Sequence, residues 1–321
     1  MTRPERLLRG FRLRGATAGI LLICLLAGTT ASNQEHQAER RAGTLPDLSG
    51  LAWIDGGRFL AVHDAKNPEE NQFPRVSIVR LPQSLDGPAW EPLEVDWPPP
   101  LGLSSDLESI ARIPGTQSYL LAESGEGKHN GRRYHRVFQA ELHDRALKIV
   151  SFTELPAQVK NIEGAAVARL GGRLVFIFAE RAGDHRGTVI NWADLRLQPL
   201  RIGDARQVRF APAGFVGPGL RPVSALEIDR EGRVYAASAF DPDDDNGPYR
   251  SAIWRIGQVR LSRNGAEVVL DARPQRFGVL DGFKVESLAL RESAGRVELF
   301  AGTDDENYGA TLRLIPLRRV R

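Results

Sequence analysis

The sequence predicts an all-β fold assembled from a repeated unit of about 60 residues. A six-residue pattern, in which Glu or Ser is followed by small and apolar residues, occurs five times. The Glu or Ser positions lie 59, 55, 61 and 62 residues apart and are Ser49, Glu108, Glu163, Ser224 and Glu286. After residue 32, no long stretch has the 3.6-residue period of an amphipathic helix. Even repetition of short strands favours the blades of a β-propeller over a β-sandwich, which does not repeat.

Each repeat is predicted to fold as a β-hairpin with one or two additional strands. A turn and a second apolar run follow every copy of the pattern, as in a hairpin. Further strand-like runs lie at residues 76–81, 136–142, 252–256 and 310–315. Residues 44–321 would therefore form five or six blades of three to four antiparallel strands, with a degenerate sixth blade within residues 241–283. The small residues of the pattern suit innermost strands, which crowd around the propeller axis.

The first 32 residues differ from the rest of the chain. Five arginines precede an apolar run from Ala18 to Gly28, and small residues follow it. This order is typical of a signal peptide, and the run is shorter than the ~18–20 residues of a membrane span. We predict a signal peptide at 1–32, a flexible lead-in at 33–43 and export to the periplasm or the medium. An uncleaved signal would be the only membrane anchor.

Charge and cysteine content exclude several functional classes. The formal net charge of the chain is +3, and removal of residues 1–32 takes away five Arg and one Glu and leaves −1. Nucleic acid is therefore not an expected partner. The only cysteine, Cys24, lies in the apolar run, so the mature protein has no disulfide, thiol nucleophile or cysteine zinc site. We expect a monomer that binds a small molecule.

Hairpin geometry places a second acidic residue beside the Glu or Ser of every blade. In an antiparallel hairpin, residues equidistant from the turn are neighbours. The predicted pairs are Ser49 with Asp64, Glu108 with Glu123, Glu163 with Glu180, Ser224 with Asp241, and Glu286 with Asp304. Propeller symmetry would then gather all five pairs around one mouth of the central channel.

Eight carboxylates are therefore candidate metal ligands. They are Asp64, Glu108, Glu123, Glu163, Glu180, Asp241, Glu286 and Asp304. Crowded like charges require protons, basic residues or a cation nearby. Oxygen ligands without cysteine favour Ca²⁺ or Mg²⁺ over zinc. The alternative is structural, with each Glu capping backbone amides or pairing with an arginine of the next blade.

Further candidates lie near the hairpin ends. His63 and His185 are placed to act as acid or base together with Glu108 and Glu163. A basic loop after the second hairpin, with Lys128, Arg132 and Arg133, suits the oxygens of a phosphate ester, or is only a solvated surface loop. The signatures of serine esterases and zinc proteases, Gly-x-Ser-x-Gly and His-Glu-x-x-His, are both absent from the sequence.

Four of the repeats resemble a known family. The segments "DLSGLAW", "DLESIAR", "NIEGAAV" and "KVESLAL" resemble the Ser-Gly-Leu-Ala and Glu-Gly-Leu-Ala motifs of the phytase-like (esterase-like activity of phytase) β-propellers and of the related SdiA-regulated propellers. The resemblance extends over about residues 45–315. By position, Glu108, Glu163 and Glu286 match the family's Glu, whereas Ser49 and Ser224 supply no carboxylate. The resemblance implies an exported protein with acidic residues at the propeller mouth and metal-assisted phosphoester hydrolysis.

The sequence thus supports three hypotheses about function. The first is a hydrolase that uses Ca²⁺ or Mg²⁺ to attack a phosphoester or related ester. The second is a non-catalytic envelope propeller that binds a ligand or a protein, with the acids in structural roles. The third is a metal-dependent lactonase, since such propellers also use a Glu at the head of a strand.

Overall fold

The computed structural model describes residues 45–65, 74–82, 89–98, 102–126, 128–129, 132–156, 159, 161–182, 187–293 and 295–317. The predicted signal peptide, the lead-in and His185 lie outside these ranges. The described residues form strands and one short 3₁₀ helix, Glu306–Tyr308. None of the helical structure in this part of the chain has the length and apolar character that a membrane crossing requires.

Within the described ranges, twenty-three strands make up five main sheets and one two-stranded ribbon. Blade 1 contains β1 (Gly50–Asp55), β2 (Arg58–Val62), β3 (Val76–Arg80) and β4 (Ala89–Pro92). Blade 2 contains β5 (Glu94–Asp96), β6 (Leu107–Arg112), β7 (Ser118–Glu123), β10 (Arg136–His143) and β11 (Ala146–Glu154), and the ribbon of β8 (Lys128–His129) and β9 (Arg132–Arg133) lies between β7 and β10 in sequence.

The remaining three sheets follow in chain order. Blade 3 contains β12 (Ile162–Leu170), β13 (Arg173–Glu180), β14 (Thr188–Leu197), β15 (Leu200–Ile202) and β16 (Arg206–Phe210). Blade 4 contains β17 (Leu220–Ile228), β18 (Arg233–Phe240), β19 (Arg250–Ser262) and β20 (Gly265–Asp281). Blade 5 contains β21 (Val285–Ser293), β22 (Arg296–Thr303) and β23 (Leu312–Ile315).

The five sheets close into a ring, which confirms the predicted β-propeller. The innermost strands β1, β6, β12, β17 and β21 contact one another in this order, and β21 contacts β1. The blade count is five. Residues 241–283, proposed as a degenerate sixth blade, instead supply the long outer strands of blade 4. The blades are antiparallel as predicted, and the short strand β5 is added to blade 2 by parallel pairing with β11.

Contacts between blade 5 and blade 1 close the ring. The Leu48 N–H donates to the Thr303 carbonyl (3.1 Å), and the Ala310 N–H donates to the Leu45 carbonyl (3.1 Å). The rings of Phe59 and Phe300 pack with their centroids 5.0 Å apart. The two ends of the domain are therefore held together by backbone hydrogen bonds and apolar packing.

The small residues of the repeated pattern allow the inner strands to approach closely. A Cβ atom on Gly50 would lie 2.8 Å from the Ile110 nitrogen, and a Cβ atom on Gly164 would lie 2.7 Å from the Leu226 nitrogen. Neither distance is possible for a real side chain without movement of the backbone. Glycine at these positions therefore permits blades 1 and 2, and blades 3 and 4, to meet at the axis.

A β-bulge occurs at the repeated Glu position of three blades. In each case, the residue before the Glu and the residue after it are paired with two consecutive residues of the neighbouring strand. The Glu itself therefore has no partner in the ladder. The pairs are Leu107–Glu123 and Ser109–Ala122, Ile162–Glu180 and Gly164–Ala179, and Val285–Thr303 and Ser287–Gly302. A bulge redirects the side chain of the extra residue. The predicted pairings of Glu with an acid are therefore displaced by one residue.

Candidate functional site

One mouth of the channel collects most of the predicted carboxylates. We call it the acidic mouth and define it by Asp64, Asp106, Glu108, Glu163, Asp241, Glu286 and Asp304, together with Arg181, Arg221 and Lys284. Their charges divide into two groups. One group is an acidic trio on blades 1 and 2, and the other is a set of carboxylates around buried arginine and lysine side chains.

The acidic trio consists of Asp64, Asp106 and Glu108. One carboxylate oxygen from each residue lies within 4.8 Å of the oxygens from the other two. Glu108 is only 7% exposed, and no hydrogen-bond donor within the described ranges reaches its carboxylate. Asp106 is 3% exposed, and its Oδ1 is a buried acceptor that no donor in the same ranges contacts.

The electrostatic environment of Glu108 disfavours its negative charge. Burial raises the pKa of Glu108 well above its ordinary value, and the charges of Asp106, Asp64 and Glu163 raise it further. A buried carboxylate without a donor costs several kcal/mol unless it is protonated or paired with a cation. Three converging carboxylates without cysteine or histidine ligands match the preference of Ca²⁺ and Mg²⁺ for oxygen.

A buried ion pair fixes the segment that carries Asp106. Glu123 and Arg136, whose side chains are 0% and 3% exposed, are joined by hydrogen bonds of 2.8 and 2.5 Å. Glu123 also accepts from the Ser105 N–H (2.8 Å), and Arg136 donates to the Leu103 carbonyl (3.0 Å). Glu123, a predicted metal ligand, therefore lies beside the trio and holds its backbone.

Asp106 itself has a positive φ of 53°. Ser124 secures this conformation, since its Oγ donates to Asp106 Oδ2 and its N–H donates to the Asp106 carbonyl (2.9 Å). The prediction from sequence missed Asp106. A signal was present, because the residue two places before the repeated position is also polar or charged in three other blades, where it is Asp47, Asn161 and Lys284.

Arg221 neutralises carboxylates from three blades. Its Nη1 donates to Glu286 Oε1 (2.7 Å) and lies 3.5 Å from Glu163 Oε2, and its Nη2 donates to Asp241. Arg181 donates to the other oxygen of Glu163. Burial acts to lower the pKa of Arg221, but the charges of Glu163, Glu286 and Asp241 outweigh it and hold that pKa above its ordinary value.

Lys284 compensates the remaining charge on blade 5. Its side chain is 2% exposed, and its Nζ lies 2.8 Å from Asp304, 3.5 Å from Glu286 and 4.0 Å from Asp241, in addition to a contact with Glu306. Burial acts to lower the pKa of Lys284, but Glu286 and Asp304 outweigh it and raise the pKa above its ordinary value. Lys284 is therefore a buried cation that the sequence prediction did not include.

The other predicted site residues occupy different positions. Glu180 accepts a hydrogen bond from Asn191 Nδ2 (2.8 Å). His63 is 4% exposed, with Nδ1 2.5 Å from the Asp47 carbonyl and Nε2 2.8 Å from Ser77 Oγ. Burial lowers the pKa of His63 to about 4, so at neutral pH it is uncharged and donates from Nδ1. The predicted phosphate-binding residues lie in the ribbon of β8 and β9 and are Lys128, Arg132 and Arg133. Lys128 and Arg133 are backbone partners across the two strands of this ribbon.

Asp47 shares a proton with Asp304 at the edge of the mouth. Burial and the negative charge of Asp304 raise the pKa of Asp47 to about 9. Burial also acts to raise the pKa of Asp304, but Lys284 and the hydrogen bond from Asp47 lower it overall. Asp47 is therefore the protonated partner and donates to the Asp304 carboxylate.

Asp47→Asn should remove part of the pH dependence of stability. Above pH 7 the native Asp47 keeps its proton until about pH 9, whereas in the unfolded chain it is already ionised. The free energy of unfolding should therefore fall with rising pH, by about 1.4 kcal/mol per pH unit. An asparagine donates a similar hydrogen bond and has no proton to lose, so the variant should gain stability relative to the native protein between pH 7 and 9.

Urea unfolding of both proteins at pH 7 and pH 9 measures this difference. Asp245→Asn, a change of the same charge at an exposed residue, is the control and should leave the pH profile unchanged. Parallel pH profiles for the native protein and Asp47→Asn would contradict the assignment of the proton to Asp47.

No family model matches the chain, and no curated protein matches it. Solved structures are similar at low identity. An exo-1,5-α-L-arabinanase from a bovine ruminal metagenomic library is 13% identical with a TM-score of 0.52, over 85% of this chain and 93% of that one. An endo-arabinase from Bacteroides thetaiotaomicron is 10% identical with a TM-score of 0.51, over 86% and 94%. The likeness is one of fold alone.

A third structure extends the same comparison. An exo-β-1,3-galactanase from Clostridium thermocellum is 13% identical with a TM-score of 0.50, over 87% of this chain and 62% of that one. At this identity the residues of the acidic mouth cannot be equated with residues of these enzymes. The function of the mouth is therefore argued from its own geometry.

Proposed function

We propose that the protein is an exported, metal-assisted hydrolase whose cation is bound by Asp64, Asp106 and Glu108. The observation that carries this proposal is a buried Glu108 that receives no hydrogen bond from any residue in the described part of the chain, beside two more carboxylates. Structural carboxylates in the same mouth are paired with Arg181, Arg221 or Lys284. Glu108 differs from them, because it forms no ion pair with a basic residue of the described ranges, and a cation would supply its counter-charge. Ca²⁺ suits it best because its coordination distances and angles are flexible, and Mg²⁺ is the alternative.

A bound Ca²⁺ or Mg²⁺ would polarise an ester or phosphoryl oxygen and make a water molecule more acidic. The chain itself supplies the means to orient an anionic substrate. Arg181 has a side chain that is 38% exposed and is anchored through Nε to Glu163, so its guanidinium is held at the mouth by a buried group. A substrate with a negatively charged phosphoryl or carboxyl group would meet both the cation and this guanidinium.

The substrate class we favour is therefore a phosphoester or a related anionic ester. The motif resemblance to phytase-like propellers supports the phosphoester. Export rests on the predicted signal peptide.

A glycosidase is the second candidate, and one observation favours it. Without a cation, the raised pKa of Glu108 would favour its protonated form beside two further carboxyl groups, and glycoside hydrolysis uses such a protonated acid next to a second carboxyl group. The structures of similar fold include two arabinanases and a galactanase. The two candidates differ in a measurable way, because only the first requires a divalent cation.

Calorimetry of the EDTA-treated, full-length protein with Ca²⁺ and Mg²⁺ tests the cation site directly. We expect Glu108→Gln to weaken Ca²⁺ binding by at least 10–100-fold, since even indirect partners of a metal site have effects of that size. Asp243→Asn is the matched control, because it removes one exposed negative charge from the loop after Asp241 without altering the trio. Its Ca²⁺ affinity should stay close to that of the native protein.

Hydrolysis is then measured on p-nitrophenyl phosphate, bis-p-nitrophenyl phosphate, a γ-lactone and p-nitrophenyl α-L-arabinofuranoside, with EDTA and with Ca²⁺. Activity on a phosphoester that EDTA abolishes and Ca²⁺ restores would support the proposal. EDTA-resistant cleavage of the arabinoside would instead support the glycosidase. Absence of cation binding together with absence of any hydrolysis would overturn both and leave a non-catalytic propeller.

A further inference from the structure

The opposite mouth of the channel contains a cavity of about 480 Å³. Residues near the ends of the five inner strands line this cavity. They are Trp53 of β1, Arg112 of β6, Arg169 of β12, Glu227 of β17 and Glu292 of β21, together with Arg230 in the turn after β17. All five blades thus contribute a side chain. Glu108 is the second residue of β6 and Arg112 is its last, so this cavity lies at the other end of the same strands from the acidic trio. Its volume is typical of a small-molecule site.

Hydrogen bonds between blades fix the walls of the cavity. Arg112 donates to the carbonyls of Trp53 (3.2 Å) and Ile54 (2.9 Å), and its guanidinium lies 5.5 Å from the centre of the Trp53 ring. Arg169 donates twice to the Pro114 carbonyl (3.0 and 2.8 Å). These contacts join blade 2 to blade 1 and blade 3 to blade 2. The cavity is therefore built from side chains that are already oriented.

Basic and acidic side chains lie next to one another in this wall. Three arginines line it together with Glu227, Glu292 and Asp229. The Arg230 N–H donates to Glu292 (2.9 Å), and Arg233 pairs with Asp229. Because Glu292 and Asp229 offset most of the positive charge of the arginines, a ligand with a net charge would gain little from this surface. A neutral ligand that both donates and accepts hydrogen bonds would find carboxylate acceptors and guanidinium donors side by side.

Glu227 is the carboxylate whose surroundings favour such a ligand most. Its Oε1 accepts from the Ile228 N–H (2.8 Å), and the Leu290 N–H of the neighbouring blade also donates to the carboxylate. No arginine or lysine of the described chain forms an ion pair with it. Burial raises the pKa of Glu227 to about 8, despite those two backbone hydrogen bonds. Around neutral pH the group can therefore both donate and accept.

We infer that this cavity binds a neutral sugar or a similar polyol, the size of a mono- or disaccharide. Trp53 would supply an apolar surface for the C–H face of the ring, and Glu227, with the arginines, would hydrogen-bond its hydroxyl groups. This site is separate from the proposed hydrolytic site and does not depend on it. It gives the propeller a second ligand site at the far end of its channel.

Saturation-transfer NMR and calorimetry on the full-length protein test the inference. The neutral probes are methyl β-D-glucopyranoside and methyl α-L-arabinofuranoside, and the charged probes are tetramethylammonium and inorganic phosphate. We expect at least one neutral glycoside to bind. Trp53→Ala should weaken that binding about tenfold, which corresponds to the loss of one stacked aromatic ring. Glu227→Gln should weaken it by a smaller factor.

Trp90→Ala is the matched control, because Trp90 belongs to the same apolar cluster as Trp53 but does not line the cavity. Trp53→Phe keeps an aromatic surface and covers the case in which the alanine variant does not fold. Glycoside binding should be the same in EDTA and in Ca²⁺, which separates this site from the proposed cation site in the acidic mouth. The inference is overturned if neither glycoside binds, if only the charged probes bind, or if Trp53→Phe and Glu227→Gln both bind the glycoside as the native protein does.

Discussion

Replacement of Arg136 by Met should lower the free energy of unfolding by about 3–5 kcal/mol, the usual cost of leaving one member of a buried ion pair without its partner. Glu123 is fully buried and accepts from Arg136 Nε, Nη2 and the Arg136 N–H, the last at 3.1 Å. Without the guanidinium its charge would have no compensation. Chemical denaturation followed by circular dichroism measures the loss.

Arg260→Met is the control for this prediction. Arg260 and Glu267 form a pair with the same 2.8 Å distance from Nε to a carboxylate oxygen, but their side chains are 59% and 32% exposed. Exposed pairs contribute about 0–1 kcal/mol, so this variant should differ little from the native protein. Equal losses for the two variants would show that burial of the Glu123–Arg136 pair has no special importance.

The loss in Arg136→Met should also reach the acidic trio. The pair holds Leu103 and Ser105, which lead into Asp106. Ca²⁺ affinity of the folded variant should therefore decrease if the proposed cation site is correct. The double variant Glu123→Leu with Arg136→Met removes both charges and should be more stable than Arg136→Met alone, since no buried charge is then left unpaired.

Replacement of Lys284 by Met should destabilise the protein by a similar amount, about 3–5 kcal/mol at pH 8. Its ammonium group is the buried counter-charge of Asp304 and lies close to Glu286 and Asp241. At pH 5 the loss should be smaller, because burial and the charge of Asp304 raise the pKa of Glu286 to about 8, so Glu286 is neutral at pH 5 and less negative charge needs compensation. Urea unfolding at the two pH values measures the difference.

A second substitution tests the cause of this effect. Asp304→Asn in the Lys284→Met background removes one of the charges left without compensation, so it should recover part of the stability at pH 8. A loss that is equal at pH 5 and pH 8, and that Asp304→Asn does not reduce, would indicate loss of the contact between the Lys284 ammonium and the Tyr249 ring rather than lost compensation of the carboxylates.

The fold was predictable because its information is local and repeated. The spacing from Ser49 to Glu286 marks five inner strands, and the glycine turns mark the hairpins. The possible sixth blade, by contrast, was predicted wrongly. Strands β19 and β20 are 13 and 17 residues long, so two outer strands of one blade occupy a stretch that resembled an additional unit.

The site was less predictable because its geometry depends on irregular and distant features. Hairpin arithmetic assumes regular pairing, and a bulge adds one residue to one strand only, so Glu108 faces the channel while Glu123 faces Arg136. The partners that separate structural acids from the trio are also distant in sequence. Arg221 is 58 residues from Glu163 and 65 from Glu286. No spacing rule connects residues that meet only when the ring closes.

The junction between blades 5 and 1 has a consequence for the folding pathway. Hairpin contacts within a blade have low contact order and can form early, whereas the junction joins residues as distant as Gly56 and Arg291, which are 235 positions apart. Closing a flexible loop of that length costs about 5 kcal/mol of chain entropy. The acidic mouth draws on blades 1 to 5, so its complete charge balance requires the ring to be closed at this junction.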